Sequence, residues 1–247
     1  MITTRNLTKV FGDKIAVRNL DLEIPAGELF AFIGPNGAGK STTIRMLAGL
    51  LIPTQGRAFI GGHDIQKSPV EAKKLIGYIP DFPFLYERLT GREFLEFVGR
   101  IYGLPRNKLT DLIERYLGLL GLKDLAGELI RNFSHGYRQR LVFASAFLHN
   151  PRVLIIDEPL VGLDPRTARL IKDLLKEHCR RDGAVFMSTH TLSVAEEIAD
   201  RVGIIDEGKL IACGSLEELR QKSGVDGKLE EVFLKLTEEE QVPEVGS

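Results

Sequence analysis

A glycine-rich segment near the N-terminus combines the residue types that bind phosphate. Residues 34–41 read GPNGAGKS and fit the spacing G-x-x-x-x-G-K-[ST]. A phosphate chain needs backbone N–H donors that no Cβ obstructs, a helix N-terminus, a mobile cation and a hydroxyl for Mg²⁺. Gly37 and Gly39 with the amides after them, Lys40 and Ser41 supply these groups. The segment therefore predicts a phosphate-binding loop, and the alternative is a glycine-rich turn before an ordinary helix.

Two adjacent carboxylates follow an apolar run later in the chain. Residues 153–156 read VLII and lead directly to Asp157 and Glu158. A buried strand of this kind would bring both acids to the C-terminal edge of a sheet, where α/β folds bind their ligands. Asp157 is suited to hold Mg²⁺, directly or through water, and Glu158 to take a proton from an attacking water. An acid pair at a strand end is often a surface turn, but its position after a phosphate loop favours a site.

The elements that must position these groups begin with strands. Apolar alternation predicts strands over residues 6–11 and 16–24, joined by a turn at Gly12-Asp13. A third strand over 29–33 then leads through the loop into a helix over 41–50. This strand, loop and helix order is the context in which a phosphate loop occurs.

Residues from about 90 to 149 carry only helix signals, which indicates a helical insertion in an α/β core. Capping boxes are predicted at Ser68–Glu71, with Pro69 at the first helical position, and at Thr90–Glu93. Ser134 is predicted to cap a helix that runs to Leu148.

Strand and helix alternation resumes after residue 150. The pattern predicts, in order, a strand over 153–156, a helix over 165–181, a strand over 184–187, a helix over 192–199 and a strand over 202–205. Repeats of this length imply a parallel sheet. A hairpin turn over 206–209 and a capped helix from Ser215 follow, and residues 238–247 are predicted to be frayed.

The composition is that of an ordinary folded protein and excludes several classes. The chain has 247 residues, of which 43% are hydrophobic and 27% charged, and its formal net charge is -1 at pH 7. These values argue against a disordered or collagen-like chain, and they give no basic field to attract nucleic acid. Cys179 and Cys213 show no CxxC spacing, which fits a reducing compartment. No signal-peptide pattern and no run of about 18 apolar residues is evident, so a chain that stays in the cytosol is expected.

The order of the motifs resembles that of the ATP-binding subunit of an ABC transporter. The resemblance spans residues 2–220 and rests on the phosphate loop (34–42), IGYIP (76–80), FSHGYRQR (133–140), GLD (162–164) and STH (188–190). It implies an α/β fold with a P-loop NTPase core and a mainly parallel sheet, an N-terminal antiparallel β subdomain and an inserted α-helical subdomain. The implied single domain, 1–247, divides into an ATP-binding core (1–80 and 151–220), a helical subdomain (81–150) and a C-terminal tail (221–247).

The resemblance implies that the ligands are ATP and Mg²⁺. Phe11 would stack on adenine with Val17 beside it, although Phe11 could equally be a core strand residue. The positions implied for phosphate binding are Asn36, Gly37, Ala38, Gly39, Lys40, Ser41 and Thr42.

Catalysis and metal binding are implied for a second set of residues. The metal ligands would be Ser41, Asp157 and Asp81. The catalytic residues would be Lys40, Glu158 and His190, of which His190 would contact the γ-phosphate and help to hold the water.

The resemblance also implies that one chain holds two halves of different sites. Ser134 and Gly136, at a helix N-terminus, would face ATP held by a second subunit, and Asp164 would lie along that interface. A second ATP-binding subunit, identical or homologous, is therefore an expected partner. The alternative role of Asp164 is to cap the helix begun by Pro165, and both roles can hold together.

Two departures from the family pattern stand out. Asp81 replaces a glutamine, which brings a negative charge close to where a γ-phosphate would lie. The signature LSGGQ reads FSHGY at residues 133–137, which keeps the serine and the second glycine but places His135 and Tyr137 in the segment that would face the partner's site. We interpret both as marks of an exporter-type subunit.

Transmembrane permease subunits are the other partners that the resemblance implies. Binding to them would place the chain at the cytoplasmic face of the membrane, as a peripheral protein that is soluble when isolated. The aromatic segment DFPFLY (81–86) either belongs to the core or bounds the groove that receives a permease helix. Residues 230–237 predict a short amphipathic helix like those at the ends of drug, lipid or sodium exporter subunits.

Other functions fit the sequence less well. A P-loop GTPase needs N-K-x-D, and residues 107–110 read NKLT; a P-loop small-molecule kinase lacks the signature-like helix start and the histidine at the strand end. A relative acting in DNA repair or at the ribosome would carry coiled-coil arms or a tandem domain. An ABC-type regulatory module with weak or no hydrolysis remains the alternative, motivated by Asp81 and Tyr137.

Overall fold

The computed structural model describes residues 1–240, which form two sheets with helices on either side. The strands are β1 (Ile2–Phe11), β2 (Lys14–Ile24), β3 (Leu29–Ile33), β4 (Gln55–Ile60), β5 (His63–Asp64), β6 (Ile76–Ile79), β7 (Val153–Asp157), β8 (Ala184–Thr189), β9 (Arg201–Asp206) and β10 (Lys209–Gly214). The helices are α1 (Lys40–Leu47), α2 (Pro69–Lys74), α3 (Gly91–Ile101), α4 (Arg106–Leu119), α5 (His135–Phe147), α6 (Pro165–Arg180), α7 (Leu192–Ile198), α8 (Leu216–Ser223) and α9 (Leu229–Glu240).

The larger sheet has six strands in the order β10-β9-β3-β8-β7-β6. All neighbours are parallel except β9 and β10, which form an antiparallel hairpin. The central strands β3, β7 and β8 are buried along their whole length, as the unbroken apolar runs of parallel strands predict. The C-terminal ends of β3, β7 and β8 therefore meet at one edge of the sheet.

The smaller sheet has four antiparallel strands in the order β2-β1-β4-β5. Its inner face and one face of the larger sheet enclose a core that also holds the apolar side of α1. Phe30, Phe32 and Phe186 fill this core, with ring centroids 5.3 to 6.4 Å apart. The opposite face of the larger sheet packs against the helices of the insertion and the C-terminal helices.

The structure confirms the α/β fold class, the antiparallel N-terminal strands and the mainly parallel sheet. The predicted turn at Gly12-Asp13 joins β1 to β2, and the boxes at Thr90 and Ser215 form with both reciprocal hydrogen bonds. Helices α3, α4 and α5 and two short 3₁₀ turns occupy the predicted helical insertion.

Several predicted boundaries were wrong. Strand β1 begins at Ile2 rather than at residue 6, and α1 ends at Leu47. Ser68 precedes α2, but its side chain makes no capping hydrogen bond, so the predicted box does not form. Helix α9 continues to Glu240 where fraying was predicted, and residues 241–247 lie outside the described chain.

Candidate functional site

The phosphate loop lies between β3 and α1, at the edge where the parallel strands end. Gly37 and Gly39 have φ values of 84° and 112°, a region that L side chains rarely adopt. A Cβ on Gly39 would lie 2.4 Å from the carbonyl oxygen of Ala16, so both the backbone and the available space require glycine. The loop's shape therefore depends on these two residues.

Lys40, the first residue of α1, folds back over the loop. Its Nζ donates to the carbonyl oxygens of Gly34, at 2.7 Å, and Pro35, at 3.0 Å. Burial lowers the pKa of Lys40, while the nearby carboxylates of Glu158 and Asp157 oppose that shift. The ammonium is thus held over the loop, within reach of the charges of the acid pair.

Asp157 is the last residue of β7 and Glu158 follows it, so the acid pair lies at the strand end as predicted. Asp157 is buried and accepts a hydrogen bond from the hydroxyl of Ser188. Glu158 has a φ of 49°, which is uncommon for a residue other than glycine and marks a strained backbone. Its Oε1 accepts from the backbone N of His190 at 2.9 Å and lies 2.8 Å from Nδ1 of the same residue.

An open cavity of about 560 Å³ brings these segments together. The predicted site residues that line it are Phe11, Asn36, Gly37, Gly39, Lys40, Ser41, Thr42, Asp81, Asp157, Glu158 and His190. The lining also includes residues that the sequence reasoning missed, namely Lys14, Ala16, Phe82 and Val161. Lys14 follows the turn after Phe11, and no motif in the sequence marks it.

Phe11 is 49% exposed, so it is not a core strand residue. Its ring lies at the mouth of the cavity, with the ammonium of Lys9 5.0 Å from the ring centroid. An exposed aromatic face in this position can stack on a flat base.

Val17 and Ala38 do not face the cavity. Val17 was predicted to lie beside the base, but its side chain is fully buried in the core under the loop, and the preceding Ala16 lines the cavity instead. Strand alternation explains this difference, since neighbouring residues of β2 point to opposite faces. Ala38 is also buried, and its backbone N donates to the carbonyl of Pro35.

Oxygen donors suited to Mg²⁺ line one side of the cavity. The hydroxyl of Ser41 and the carboxylates of Asp157 and Asp81 all belong to the lining. Burial and the charge of Asp157 raise the pKa of Asp81, while His135 and His190 lower it. Among residues 1–240 no cluster of three acid, histidine or cysteine side chains could hold a metal alone. The donor set fits Mg²⁺, which prefers oxygen and completes its shell with phosphate and water.

Ser134, Gly136 and Asp164 lie outside the lining of this cavity. Ser134 caps α5, its Oγ accepting from the backbone N of Tyr137 at 3.4 Å. Asp164 caps α6 through the backbone N–H groups of Arg166 and Thr167, which confirms its predicted capping role.

The signature segment and the Asp164 turn are joined by Arg140. Its guanidinium lies 4.7 Å from the ring centroid of Tyr137 and 3.4 Å from the carboxylate of Asp164. Tyr137, one of the departures from the family pattern, therefore has a packing partner within its own chain.

The aromatic segment at the start of the insertion is exposed. Phe82, Phe84 and Tyr86 are 71%, 87% and 59% exposed, which excludes the alternative that they belong to the core. The ring of Tyr86 meets that of Phe97 edge to face, with centroids 5.4 Å apart. In the described part of the chain, no helix is both long enough and apolar enough to cross a membrane.

Comparison with known proteins gives consistent matches. The family model described as "ABC transporter" matches residues 17–161. The linearmycin resistance ATP-binding protein LnrL of Bacillus subtilis (strain 168) is 37% identical over 226 residues, covering 92% of this chain and 73% of that protein.

Solved structures show the same similarity. An ATP-binding subunit of an ABC transporter has a TM-score of 0.92 at 31% identity, covering 96% of this chain and 99% of that one. A dimeric ATP-binding cassette in a post-hydrolysis state, bound to ADP and Pi, has a TM-score of 0.80 at 25% identity and covers 87% of this chain and 99% of that one.

Proposed function

Because this chain belongs to the ABC transporter family, as an ATP-binding subunit with ATPase activity, we propose that its 560 Å³ cavity binds Mg²⁺-ATP and hydrolyses it to drive transport. One observation carries the proposal. The cavity brings together the phosphate loop, the acid pair and His190, which come from three distant parts of the sequence.

The nucleotide would lie along the cavity from Phe11 to the acid pair. Phe11 stacks on the base, and residues 36–42 hold the phosphates through backbone N–H groups, the Lys40 ammonium and the positive end of α1. Ser41, Asp157 and Asp81 would hold Mg²⁺, which would neutralise charge on the phosphate oxygens.

Hydrolysis needs a base beside the γ-phosphate, and Glu158 is suited to this role. Its side chain is 13% exposed and faces the cavity, where it can take a proton from a water held between it and the nucleotide. His190 touches the same carboxylate and is positioned to contact the γ-phosphate. Lys40, whose ammonium lies over the loop, supplies a positive charge to the phosphates.

A second ATP-binding subunit would complete the site. Ser134, Gly136 and Asp164 lie outside this chain's own cavity, as expected if they face nucleotide bound by a partner. The dimeric state of the similar post-hydrolysis cassette supports this arrangement. The partner is either a second copy or a homologous chain.

Separate permease subunits would turn the motion of the two subunits into transport. The exposed rings of Phe82, Phe84 and Tyr86 provide an apolar surface for a permease helix, which would hold the chain at the cytoplasmic face of the membrane. The name of the similar linearmycin resistance protein supports an exporter of drug-like compounds.

Glu158→Gln tests the proposed chemistry directly. We expect the variant to bind ATP as the wild type does, since the amide keeps the shape of the side chain, and to hydrolyse it about a hundred-fold or more slowly. Nucleotide binding and steady-state phosphate release are the measurements. Glu71→Gln, an exposed glutamate on α2, is the matched control. Full turnover by Glu158→Gln would contradict the role.

A further inference from the structure

The last two residues of β8 are buried and polar in an otherwise apolar strand. Residues 184–189 read AVFMST, and Ser188 and Thr189 are 0% and 3% exposed. A buried hydroxyl lowers stability unless it forms a hydrogen bond, and an apolar residue would fill either position without that cost. The hydrogen-bond partners of Ser188 and Thr189 therefore indicate why these two positions carry hydroxyl groups.

Register places the two hydroxyls on opposite faces of the sheet. Ser188 pairs with Asp157 in the parallel ladder and shares its face with Phe186, in the core under the phosphate loop. Thr189 follows Met187 on the other face, because successive residues of a strand alternate. Each hydroxyl can therefore reach a different member of the acid pair.

Ser188 contacts both acids. Its hydroxyl donates to Oδ1 of Asp157, and its carbonyl oxygen accepts from the backbone N of Glu158 at 3.1 Å. The first bond sets the orientation of the Asp157 carboxylate. The second supports the backbone of Glu158 in its left-handed conformation.

Thr189 completes the support of Glu158. Its Oγ1 accepts from the backbone N of Thr191 at 3.0 Å and lies 3.2 Å from Oε2 of Glu158. The Thr189 hydroxyl accepts the bond from Thr191 through an oxygen lone pair, so its own proton can be donated to the Glu158 carboxylate. With His190 on Oε1, both oxygens of the Glu158 carboxylate have a partner.

We propose that Ser188 and Thr189 are positioning residues of the ATPase site, Ser188 orienting Asp157 toward Mg²⁺ and Thr189 orienting Glu158 toward the attacking water. The inference rests on the proposed function and adds two residues to it. Groups that hydrogen-bond a metal ligand typically change metal affinity or activity by about ten- to a hundred-fold when removed.

Ser188→Ala tests the metal side of the proposal. Mn²⁺ replaces Mg²⁺, and its binding to the protein loaded with a non-hydrolysable ATP analogue is followed by electron paramagnetic resonance. We expect Mn²⁺ affinity to fall by about tenfold or more, while affinity for the analogue in EDTA is unchanged. Ser223→Ala, which removes a buried serine hydroxyl of α8, is the matched control and should change neither affinity.

Thr189→Val tests the base side, because valine keeps the branched shape and removes the hydroxyl. We expect kcat to fall about tenfold or more, because a base that is no longer held in position loses much of its effect, with unchanged KM for ATP and unchanged Mn²⁺ affinity. Thr189→Ser, which restores the hydroxyl, should recover most of the rate.

The outcomes separate this inference from the proposed function. Unchanged Mn²⁺ affinity in Ser188→Ala, or an equal loss of analogue binding in EDTA, would overturn the role of Ser188. A rate for Thr189→Ser as low as that for Thr189→Val would overturn the role of Thr189. If the wild-type protein bound neither the analogue nor Mn²⁺, the proposed function itself would fail.

Discussion

At the scale of single residues, Asp81 is the clearest departure from the family pattern at this site. It lines the cavity with Asp157, and burial together with the charge of Asp157 raises its pKa. A cation between the two carboxylates would offset their repulsion. The departure is therefore compatible with an active site that holds Mg²⁺.

Asp81→Gln restores the residue common in the family. We expect ATPase activity to stay within about tenfold of wild type, because both side chains offer an oxygen to the metal shell. Steady-state hydrolysis at saturating Mg²⁺ is the measurement, and Asp81→Ala, which removes the oxygen, is the contrast and should be slower. A complete loss of activity in Asp81→Gln would show that the negative charge itself is needed.

Sequence reasoning found the residues whose type and spacing define a motif. The loop glycines, Lys40 and the acid pair come together as predicted, because a phosphate loop and a strand-end acid pair each have a local signature. The burial of Val17 and the position of Lys14 in the lining were not foreseen, since which side of β2 faces the cavity depends on packing between the two sheets. Ser188 and Thr189 belong to the STH motif (188–190), but only His190 was assigned a role in it, because two small polar residues at a strand end resemble an ordinary boundary.

At the scale of elements, His149 joins three parts of the fold. It follows α5 and its ring stacks on Tyr102, just after α3, with centroids 3.7 Å apart. Its Nε2 lies 3.0 Å from the carbonyl oxygen of Ile76, the first residue of β6. Strand β6 leads to Asp81, so His149 links the insertion to the strand that carries one of the proposed metal ligands.

Burial lowers the pKa of His149 to about 4. Below about pH 6.5 the unfolded chain binds a proton at this residue and the folded chain does not, so folding loses stability as pH falls toward about 4. From about pH 7.5 to about pH 5 the loss from this one group is about 2 kcal/mol.

His149→Gln should remove this part of the pH dependence, because glutamine can donate to the Ile76 carbonyl without titrating. Urea unfolding at both pH values, on wild type and variant, is the measurement. Every other titrating group is present in both proteins, so its contribution cancels when the losses of stability in wild type and variant are compared. Equal losses of stability in both would contradict the assignment.

The sequence predicted some helix caps correctly and one wrongly. The boxes at Thr90 and Ser215 formed, whereas Ser68 has a φ of -130° and ψ of 57° and makes no capping bond. Strands β4 and β5 were missed because β4 is largely exposed at its start and β5 has only two residues. Both strands are stabilised by pairing across the smaller sheet, and a local sequence pattern does not predict such pairing.

At the scale of the whole molecule, the residues proposed to act on a partner's nucleotide lie apart from the chain's own cavity. The cavity and the signature helix α5 belong to one chain, yet Ser134 and Gly136 do not line that cavity. The N-terminus of α5 carries partial positive charge, and its first residues, Ser134 and His135, are exposed. Two chains, each offering a cavity and a helix N-terminus, would complete two sites by symmetry.

Glu158→Gln in the presence of Mg²⁺-ATP tests this arrangement, because a chain that binds but does not hydrolyse should stay in the closed pair. We expect a monomer without nucleotide and a dimer with it, measured by light scattering on a size-exclusion column.

Adding Ser134→Asp to Glu158→Gln provides the control for that measurement. Aspartate caps a helix as well as serine does, so α5 is kept, but its charge would repel the partner's γ-phosphate and prevent the dimer. A dimer that persists in this double variant would contradict the role of Ser134. A Glu158→Gln protein that binds ATP and stays monomeric would contradict the formation of a homodimer. It would indicate a homologous chain as the partner, with His135 and Tyr137 as the residues that prevent pairing with a second copy.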